Sequence, residues 1–96
     1  MIYSIHSGAM EEFFASAAFY EEQQEGLGEQ FAREVAATID RIVRFPESAP
    51  IVANSRRRAR VQRFPFAVIY RVTSAGIRIL AIAHTHRKPE YWQRRR

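Results

Sequence analysis

Apolar residues with helical spacing fill the first half of the chain. One such segment begins near Ser7 and ends at Gly26, and a second extends from Gly28 to Arg44 and is terminated by Pro46. Because only a short glycine-containing corner separates the two segments, we predict an antiparallel helical hairpin. The predicted core positions of the hairpin are Met10, Phe13, Phe14, Ala17, Phe31, Val35, Ile39 and Ile42.

The second half of the chain changes to the spacing of β-strands. Pro46–Ser55 contains Pro, Ser and Asn and predicts a loop. Strands are predicted over Arg58–Phe64, Phe66–Thr73 and Ile77–His84, and the last two are nearly continuous apolar runs, which are typical of central strands. With an N-terminal strand over Met1–His6, the order is β-α-α-β-β-β. We therefore predict an α+β fold in which the helical hairpin packs on one face of an antiparallel β-sheet.

Length and composition limit the class of protein. A chain of 96 residues builds one hydrophobic core, so we predict a single domain over residues 1–96, with a basic tail from about residue 87 to residue 96. The absence of cysteine excludes a disulfide scaffold, a cysteine-based zinc module and a thiol nucleophile. No apolar run reaches the roughly 18 residues of a membrane span, and no signal-peptide pattern is present, so we expect a cytoplasmic protein without membrane contact.

Charge is divided unevenly between the two halves of the chain. Residues 1–48 carry nine acidic and three basic residues, whereas residues 49–96 carry one acidic and twelve basic residues. A second half this basic indicates an anionic ligand or an acidic partner. The acidic residues Glu21, Glu22 and Glu25 lie at the predicted tip of the helical hairpin, where they could simply contact solvent.

The basic residues concentrate in an arginine-rich stretch, Arg56, Arg57, Arg58, Arg60 and Arg63. On a strand, Arg56, Arg58 and Arg60 would share one face at a spacing of roughly 6.5–7 Å, a scale comparable to the phosphate repeat of nucleic acids. This predicts a site for phosphates or for an acidic protein segment. The alternative is an edge strand protected from aggregation by its charge, although lysine would serve that purpose equally.

Motifs spread over nearly the whole chain point to a known superfamily. They are AFYEE (18–22), GLGEQF (26–31), IDRIVRFP (39–46), RFPF followed by VIYRV (63–72), and IRILAIAHTHRKPEYW (77–92). In this order and in a chain of this length, they resemble the RelE/ParE superfamily of toxins from type II toxin–antitoxin modules. The resemblance implies the fold predicted above, a cognate antitoxin that neutralises the toxin, and a hetero-oligomeric toxin–antitoxin complex. It also implies a role in plasmid stabilization.

Two activities occur in the superfamily that the chain resembles. RelE-like members cleave mRNA on the ribosome with basic and tyrosine side chains and without a metal, whereas ParE-like members inhibit DNA gyrase. RelE-like nucleases place an arginine directly after the aromatic residue that starts the third strand, but here Ala67 follows Phe66. This departure and the YEE…GLGEQF hairpin favour the ParE branch. We therefore predict a gyrase inhibitor without catalytic residues, whose antitoxin- or anion-binding residues are Arg56, Arg58, Arg60, Arg63 and Arg87.

The alternative is a RelE-like, ribosome-dependent mRNA endonuclease that inhibits translation. Its working residues would be Arg58, Arg60, His86, Arg87 and Tyr91. Arginine would stabilise the negative charge that develops on the phosphorus, histidine would transfer protons, and tyrosine would stack on a base or assist. A third possibility is a non-toxic domain that retains only antitoxin binding, which a test of toxicity on induction would distinguish.

The last motif also raises the question of a metal. His84 and His86 have the spacing of a zinc-binding pair, but the third ligand would have to be His6 or Glu90, and no spacing supports either one. We expect neither a metal nor a cofactor. Trp92 is expected to pack on the core, whereas Tyr91 could pack there or contact a ligand.

Overall fold

The computed structural model of the chain describes residues 2–88 and 90–96. Met1 and Pro89, which the sequence patterns place in the first strand and in the last motif, lie outside the described residues. The helices are α1 (Ser7–Gln23), α2 (Leu27–Arg44) and the short α3 (Glu90–Gln93). The strands are β1 (Tyr3–Ile5), β2 (Ile51–Ala53), β3 (Arg56–Arg60), β4 (Phe66–Thr73) and β5 (Gly76–His84). Neither α1, α2 nor α3 is long and apolar enough to cross a membrane.

The strands form one sheet with the order β1-β5-β4-β3-β2. The predicted α+β fold is confirmed, and β4 and β5 occupy the centre of the sheet, as their apolar sequences predict. The prediction of a purely antiparallel sheet is wrong in one place, because β1 pairs with β5 in parallel, with Tyr3 opposite Ile77. Short connections favour antiparallel directions for β3, β4 and β5, whereas the distant β1 is under no such constraint.

The predicted loop over Pro46–Ser55 contains a strand that the sequence pattern does not reveal. Residues of β2 pair with β3, and Ala53 lies opposite Arg56, so a two-residue turn joins the strands. Asn54 and Ser55 have positive φ angles of 45° and 65°, the conformation that a type I′ hairpin turn requires. Ser55 is an uncommon residue in this conformation, and the hairpin signal is therefore weak. As a result β3 covers Arg56–Arg60 instead of Arg58–Phe64.

The main core lies between the helical hairpin and one face of the sheet. Phe31 of α2 is fully buried, and its ring lies 5.0 Å from that of Phe66 and 5.3 Å from that of Phe64. The prediction for α2 is confirmed at Phe31, Val35, Ile39 and Ile42, which are all buried. Burying such side chains stabilises the fold by about 1.5–3 kcal/mol each.

Helix α1 is covered less completely than its sequence predicts. Met10, Phe13 and Ala17 are only partly buried, and Ala9 is the residue of α1 that is fully enclosed. Phe14 was expected in the core, but its side chain is 60% exposed. Because successive helical residues are rotated by about 100°, Phe14 lies beside the buried stripe and packs only edge-on against the ring of Phe13.

The corner between α1 and α2 uses one of the acidic residues at the tip of the hairpin. The carboxylate of Glu21 accepts hydrogen bonds from the backbone N–H groups of Gly26 and Gly28, at 2.9 and 3.0 Å. These N–H groups lie at the start of α2, where no residue of the preceding turn of helix accepts their hydrogen bonds. Glu21 therefore caps α2 from α1 and fixes the angle of the hairpin.

Candidate functional site

The candidate site lies on the face of the sheet that is turned away from the helical hairpin. Alternation along the strands directs Arg56, Arg58 and Arg60 to this face, whereas Ala59 packs in the main core. Arg58 and Arg60 are exposed on β3. Arg60 also accepts a hydrogen bond at its carbonyl oxygen from the Arg41 guanidinium, at 3.0 Å, which ties β3 to α2.

The other arginines of the stretch make contacts within the chain. Arg57 lies on the opposite side of β3 and donates to the carbonyl oxygens of Glu47 and Ala49, at 2.9 and 2.7 Å. Arg63 lies beyond the strand in a turn with a φ of 68°, and its Nε is 3.7 Å from the Glu34 carboxylate. Of the five arginines, Arg58 and Arg60 are therefore the two that best match an open binding surface.

The C-terminal segment covers the middle of this face. Trp92 of α3 is buried, and together with residues of β4 and β5 it forms a second small core. The sheet residues of this core are Ile69, Leu80, Ala81 and Ala83. The segment is fastened by Arg95, which donates to Glu12 of α1 and to the carbonyl oxygen of Leu80, both at 3.0 Å. The basic tail is thus ordered against the sheet, and Trp92 packs as predicted.

Arg87 and Tyr91 lie together at one end of this segment. The Arg87 guanidinium lies 3.9 Å from the centre of the Tyr91 ring, a cation–π contact, and Arg95 approaches the same ring at 5.0 Å. The Tyr91 hydroxyl is buried and has no hydrogen-bond partner among the described atoms. Burial, reinforced by the negative charge of Glu12, raises the pKa of Tyr91 to about 12. The phenol is therefore neutral at physiological pH.

The two histidines lie at the end of β5 and in the turn that follows. His84 Nδ1 accepts a hydrogen bond from the backbone N–H of His86, at 3.1 Å, and the two rings lie 5.3 Å apart. Both side chains are exposed. Among the described residues, no group of three His, Cys, Asp or Glu side chains has the arrangement of a metal site.

The residues of the alternative nuclease set do not line one cavity. Arg58 and Arg60 border a cleft that also includes Arg41, whereas Arg87 and Tyr91 border a separate cleft with Lys88, Gln93 and Arg94. Ala67 lies opposite Arg60 on the neighbouring strand and is 1% exposed. The position at which RelE-like nucleases have an arginine therefore holds a buried, uncharged side chain.

Two further arginines of this face were not singled out from the sequence. Arg71 of β4 and Arg78 of β5 are direct cross-strand neighbours. Each interrupts an otherwise apolar strand, and a charged residue in such a run is the signal that could have identified them. Together with Arg56 they extend the basic surface from β3 into the middle of the sheet.

An apolar groove of about 420 Å³ lies on the opposite side of the molecule, between α1, α2 and β1. Tyr3, Met10, Phe13 and Val43 contribute to its walls. Phe14 and Phe19 of α1 are 60% and 56% exposed. The molecule therefore presents an apolar surface on its helices and a basic surface on its sheet.

A helical hairpin on one face of a small mixed sheet is the architecture that the resemblance to the RelE/ParE superfamily implies. Residues 3–89 match the family model described as the ParE toxin of the type II toxin–antitoxin system parDE. The chain belongs to this family, and the prediction of a ParE-branch toxin is confirmed. No curated protein matches the chain.

Among solved structures, the chain is similar to a protein of the chromosomal ParDE toxin–antitoxin system from P. aeruginosa. The two chains superpose with a TM-score of 0.66 at 18% sequence identity, over 90% of this chain and 97% of that chain. At this level of identity the similarity supports the fold, which extends over nearly the full length of both chains.

Proposed function

We propose that this toxin inhibits DNA gyrase by binding to it and is neutralised by a cognate antitoxin in the cytoplasm. Membership in the ParE family of parDE modules supports both parts of this proposal. The observation that carries the choice against mRNA cleavage is that Arg58 and Arg60 lie on one cleft whereas Arg87 and Tyr91 lie on another. In addition, the Tyr91 hydroxyl is buried, which keeps it from contacting a substrate.

The arrangement of the arginines also supports binding over catalysis. Cleavage of RNA needs a proton acceptor, a proton donor and positive charge around one phosphate. The residues that could supply these functions border separate clefts, with Arg58 and Arg60 on one and Arg87 and Tyr91 on another. A docking surface does not require such convergence, since each arginine can contact a different acidic group of the partner.

The antitoxin is expected to use the basic surface of the sheet. Exposed Arg58 and Arg60 suit an acidic or amphipathic segment that lies on or beside Arg56–Arg63. The apolar groove between α1 and α2, on the opposite side of the molecule, would receive a separate, apolar part of the antitoxin. A toxin–antitoxin complex in which the surface of Arg56–Arg63 remains uncovered would contradict this part of the proposal.

The proposal is tested by pulse-labelling DNA and protein synthesis within minutes of inducing the chain without its antitoxin. We expect DNA synthesis to fall first and translation to follow. An early fall in translation would overturn gyrase inhibition in favour of mRNA cleavage, and no early effect on either process would contradict both activities. A supercoiling assay with purified gyrase and the purified chain then tests the target directly, because a gyrase inhibitor must act there without ribosomes.

The double variant Arg60→Ala/Arg87→Ala separates the mechanisms further when it is compared with Arg33→Ala/Arg44→Ala. Both pairs remove two positive charges, but Arg33 and Arg44 lie on α2 in exposed ion pairs with Glu29 and Asp40. Loss of all mRNA cleavage in the first variant, with a folded protein, would support the nuclease. Residual toxicity in that folded variant would exclude Arg60 and Arg87 as catalytic residues.

A further inference from the structure

Three arginines form a row across the centre of the sheet. Arg71 and Arg78 are opposite each other on β4 and β5. The pairing of Arg57 with Tyr70 places Arg56 beside Arg71, so the row continues onto β3. Adjacent strands lie about 4.8 Å apart, and three guanidinium groups are therefore attached to the sheet within roughly 10 Å. This row is visible only in the strand register, since the three residues are distant in sequence.

The row concentrates positive charge with which no Asp or Glu side chain that the structure describes forms an ion pair. Like charges directly opposite each other destabilise a sheet. Arg56 donates to the carbonyl oxygens of Asn54 and Arg95, at 2.8 and 2.7 Å, and Arg78 donates to the main-chain oxygen of Arg96, at 3.3 Å. None of the three forms an ion pair with the Asp or Glu side chains that the structure describes, and the buried Nε atoms of Arg56 and Arg71 have no partner among the described atoms.

An open cleft of about 770 Å³ gives access to Arg56 and Arg71 of this row. The residues that line it are four arginines and two amides: Asn54, Arg56, Arg71, Gln93, Arg94 and Arg96. Guanidinium and amide groups are the donors that proteins present to phosphate oxygens. A protein partner would need apolar or aromatic anchors at the centre of the contact, and this cleft has none among its lining residues. The antitoxin segment is therefore expected at the exposed Arg58 and Arg60, beside the cleft and not in it.

The surroundings of the cleft favour a polymer of phosphates over a single small anion. Arg58 and Arg60 continue the positive surface along β3 on the same face. In addition, nine of the ten acidic residues belong to residues 1–48, which contain the helical hairpin on the other face of the sheet. A polyanion can therefore approach the sheet face without meeting the acidic helices, and long-range attraction would orient the toxin accordingly.

We propose that this cleft binds the phosphate backbone of duplex DNA without sequence preference, with Arg56 and Arg71 as its central contacts. The choice of DNA rests on the proposed function, because gyrase acts on DNA. Binding to the backbone would concentrate the toxin on the substrate of its target. The partner chemistry follows from the cleft itself, in which cations and amides face solvent and no apolar side chain takes part.

The test measures binding of the purified full-length chain to a fluorescently labelled DNA duplex of random sequence by anisotropy, over a series of salt concentrations. We expect Arg71→Gln to weaken binding roughly tenfold at low salt and to reduce the slope of log K against log salt by about one. The matched control is Arg33→Gln, which removes the same charge from the exposed surface of α2. It should leave both quantities near the wild-type values, and far-UV circular dichroism should show that both variants are folded.

The outcomes distinguish this proposal from its alternatives. Equal effects of Arg71→Gln and Arg33→Gln on DNA binding would overturn it, as would tighter binding of an RNA duplex of the same sequence. The chain could instead bind inorganic phosphate saturably and fail to bind the duplex. If Arg71→Gln abolished that phosphate binding, the cleft would be assigned to a free anion. A glutamate-rich peptide that binds more tightly than DNA at equal salt, again through Arg71, would assign it to an acidic protein.

Failure of this proposal and failure of gyrase inhibition give different results. DNA binding is measured without gyrase, whereas gyrase inhibition is measured by supercoiling. A wild-type chain that inhibits gyrase but does not bind DNA would overturn only the DNA-binding cleft. A chain that binds DNA through Arg71 but leaves supercoiling unchanged would overturn only the proposed target.

Discussion

The ion pair between Glu12 and Arg95 is expected to hold the C-terminal segment on the sheet. Glu12 Oε1 accepts hydrogen bonds from Arg95 Nη1 and from the backbone N–H of Ile82, both at 3.0 Å. The Arg95 and Glu12 side chains are only 20% and 14% exposed. Replacing Arg95 with alanine should therefore release the segment that carries Trp92, while Glu12 keeps its bond to β5.

The size of the effect follows from what each substitution leaves unpaired. Arg95→Ala leaves a partly buried carboxylate that keeps one N–H donor, and we expect a loss of about 2–3 kcal/mol. Glu12→Ala leaves both the guanidinium and the Ile82 N–H without the carboxylate, and we expect about 3–4 kcal/mol. A typical domain has a free energy of unfolding of about 5–15 kcal/mol, so either loss is readily measured. The double variant should show a coupling energy of about 1–3 kcal/mol.

Two measurements separate the local effect from the global one. Urea unfolding followed by circular dichroism gives the free energy of unfolding for each variant. Trp92 is the single tryptophan of the chain and is 3% exposed, so its fluorescence reports directly on the position of α3. In Arg95→Ala we expect a red-shifted emission and faster quenching by acrylamide before global unfolding begins. The control Arg94→Ala removes the same charge from an exposed neighbouring position and should leave the emission unchanged.

A coupling energy below about 0.5 kcal/mol would refute this reasoning, because it would mean that the two side chains contribute independently. Unchanged Trp92 emission in Arg95→Ala would refute the second part, namely that the ion pair positions α3. In that case the apolar contacts of Trp92 with β4 and β5 would suffice to hold the segment.

Three further predictions concern the first residue of β5, the helical corner and the start of α1. Gly76 has a φ of 133°, and a Cβ there would lie 2.2 Å from a main-chain oxygen, so Gly76→Ala should destabilise the fold by about 2–4 kcal/mol in urea unfolding. The control Gly26→Ala, where no atom lies within 4 Å of the added Cβ, should cost only about 1 kcal/mol. Glu21→Ala should lower the free energy of unfolding by about 1–2 kcal/mol because it removes the cap on α2. Glu22→Ala, at the exposed neighbouring position, is the control and should change it by less than about 0.5 kcal/mol. Equal effects of the two substitutions would contradict the capping role of Glu21. Burial, with the charges of nearby arginines, lowers the pKa of His6 below its ordinary value of 6.5. The folded state therefore favours the neutral imidazole, and the stability present above pH 6.5 is lost as the pH falls through the pKa of the folded state. His6→Asn keeps a side-chain acceptor for the start of α1, and between about pH 7.5 and about pH 5 its free energy of unfolding in urea should fall less than that of the wild type.

The sequence by itself determined the elements whose residues repeat in a regular pattern. The apolar spacing of α2 and the continuous apolar runs of β4 and β5 predicted the helical hairpin and the central strands, because periodic burial leaves a direct trace in the chain. The concentration of arginines after residue 55 likewise predicted a basic surface. At Phe14 the pattern was insufficient, since apolar spacing does not indicate how much of a helix its neighbours cover.

The tertiary structure decided the features that depend on residues distant in sequence. The parallel pairing of β1 with β5, the alignment of Arg56, Arg71 and Arg78 and the contact of Glu12 with Arg95 all join segments that no local pattern connects. Strand register sets which side chains become neighbours across a sheet, and that register is fixed by the packing of the whole core. The sequence thus specified the basic character of the surface, and the fold specified which charges meet there.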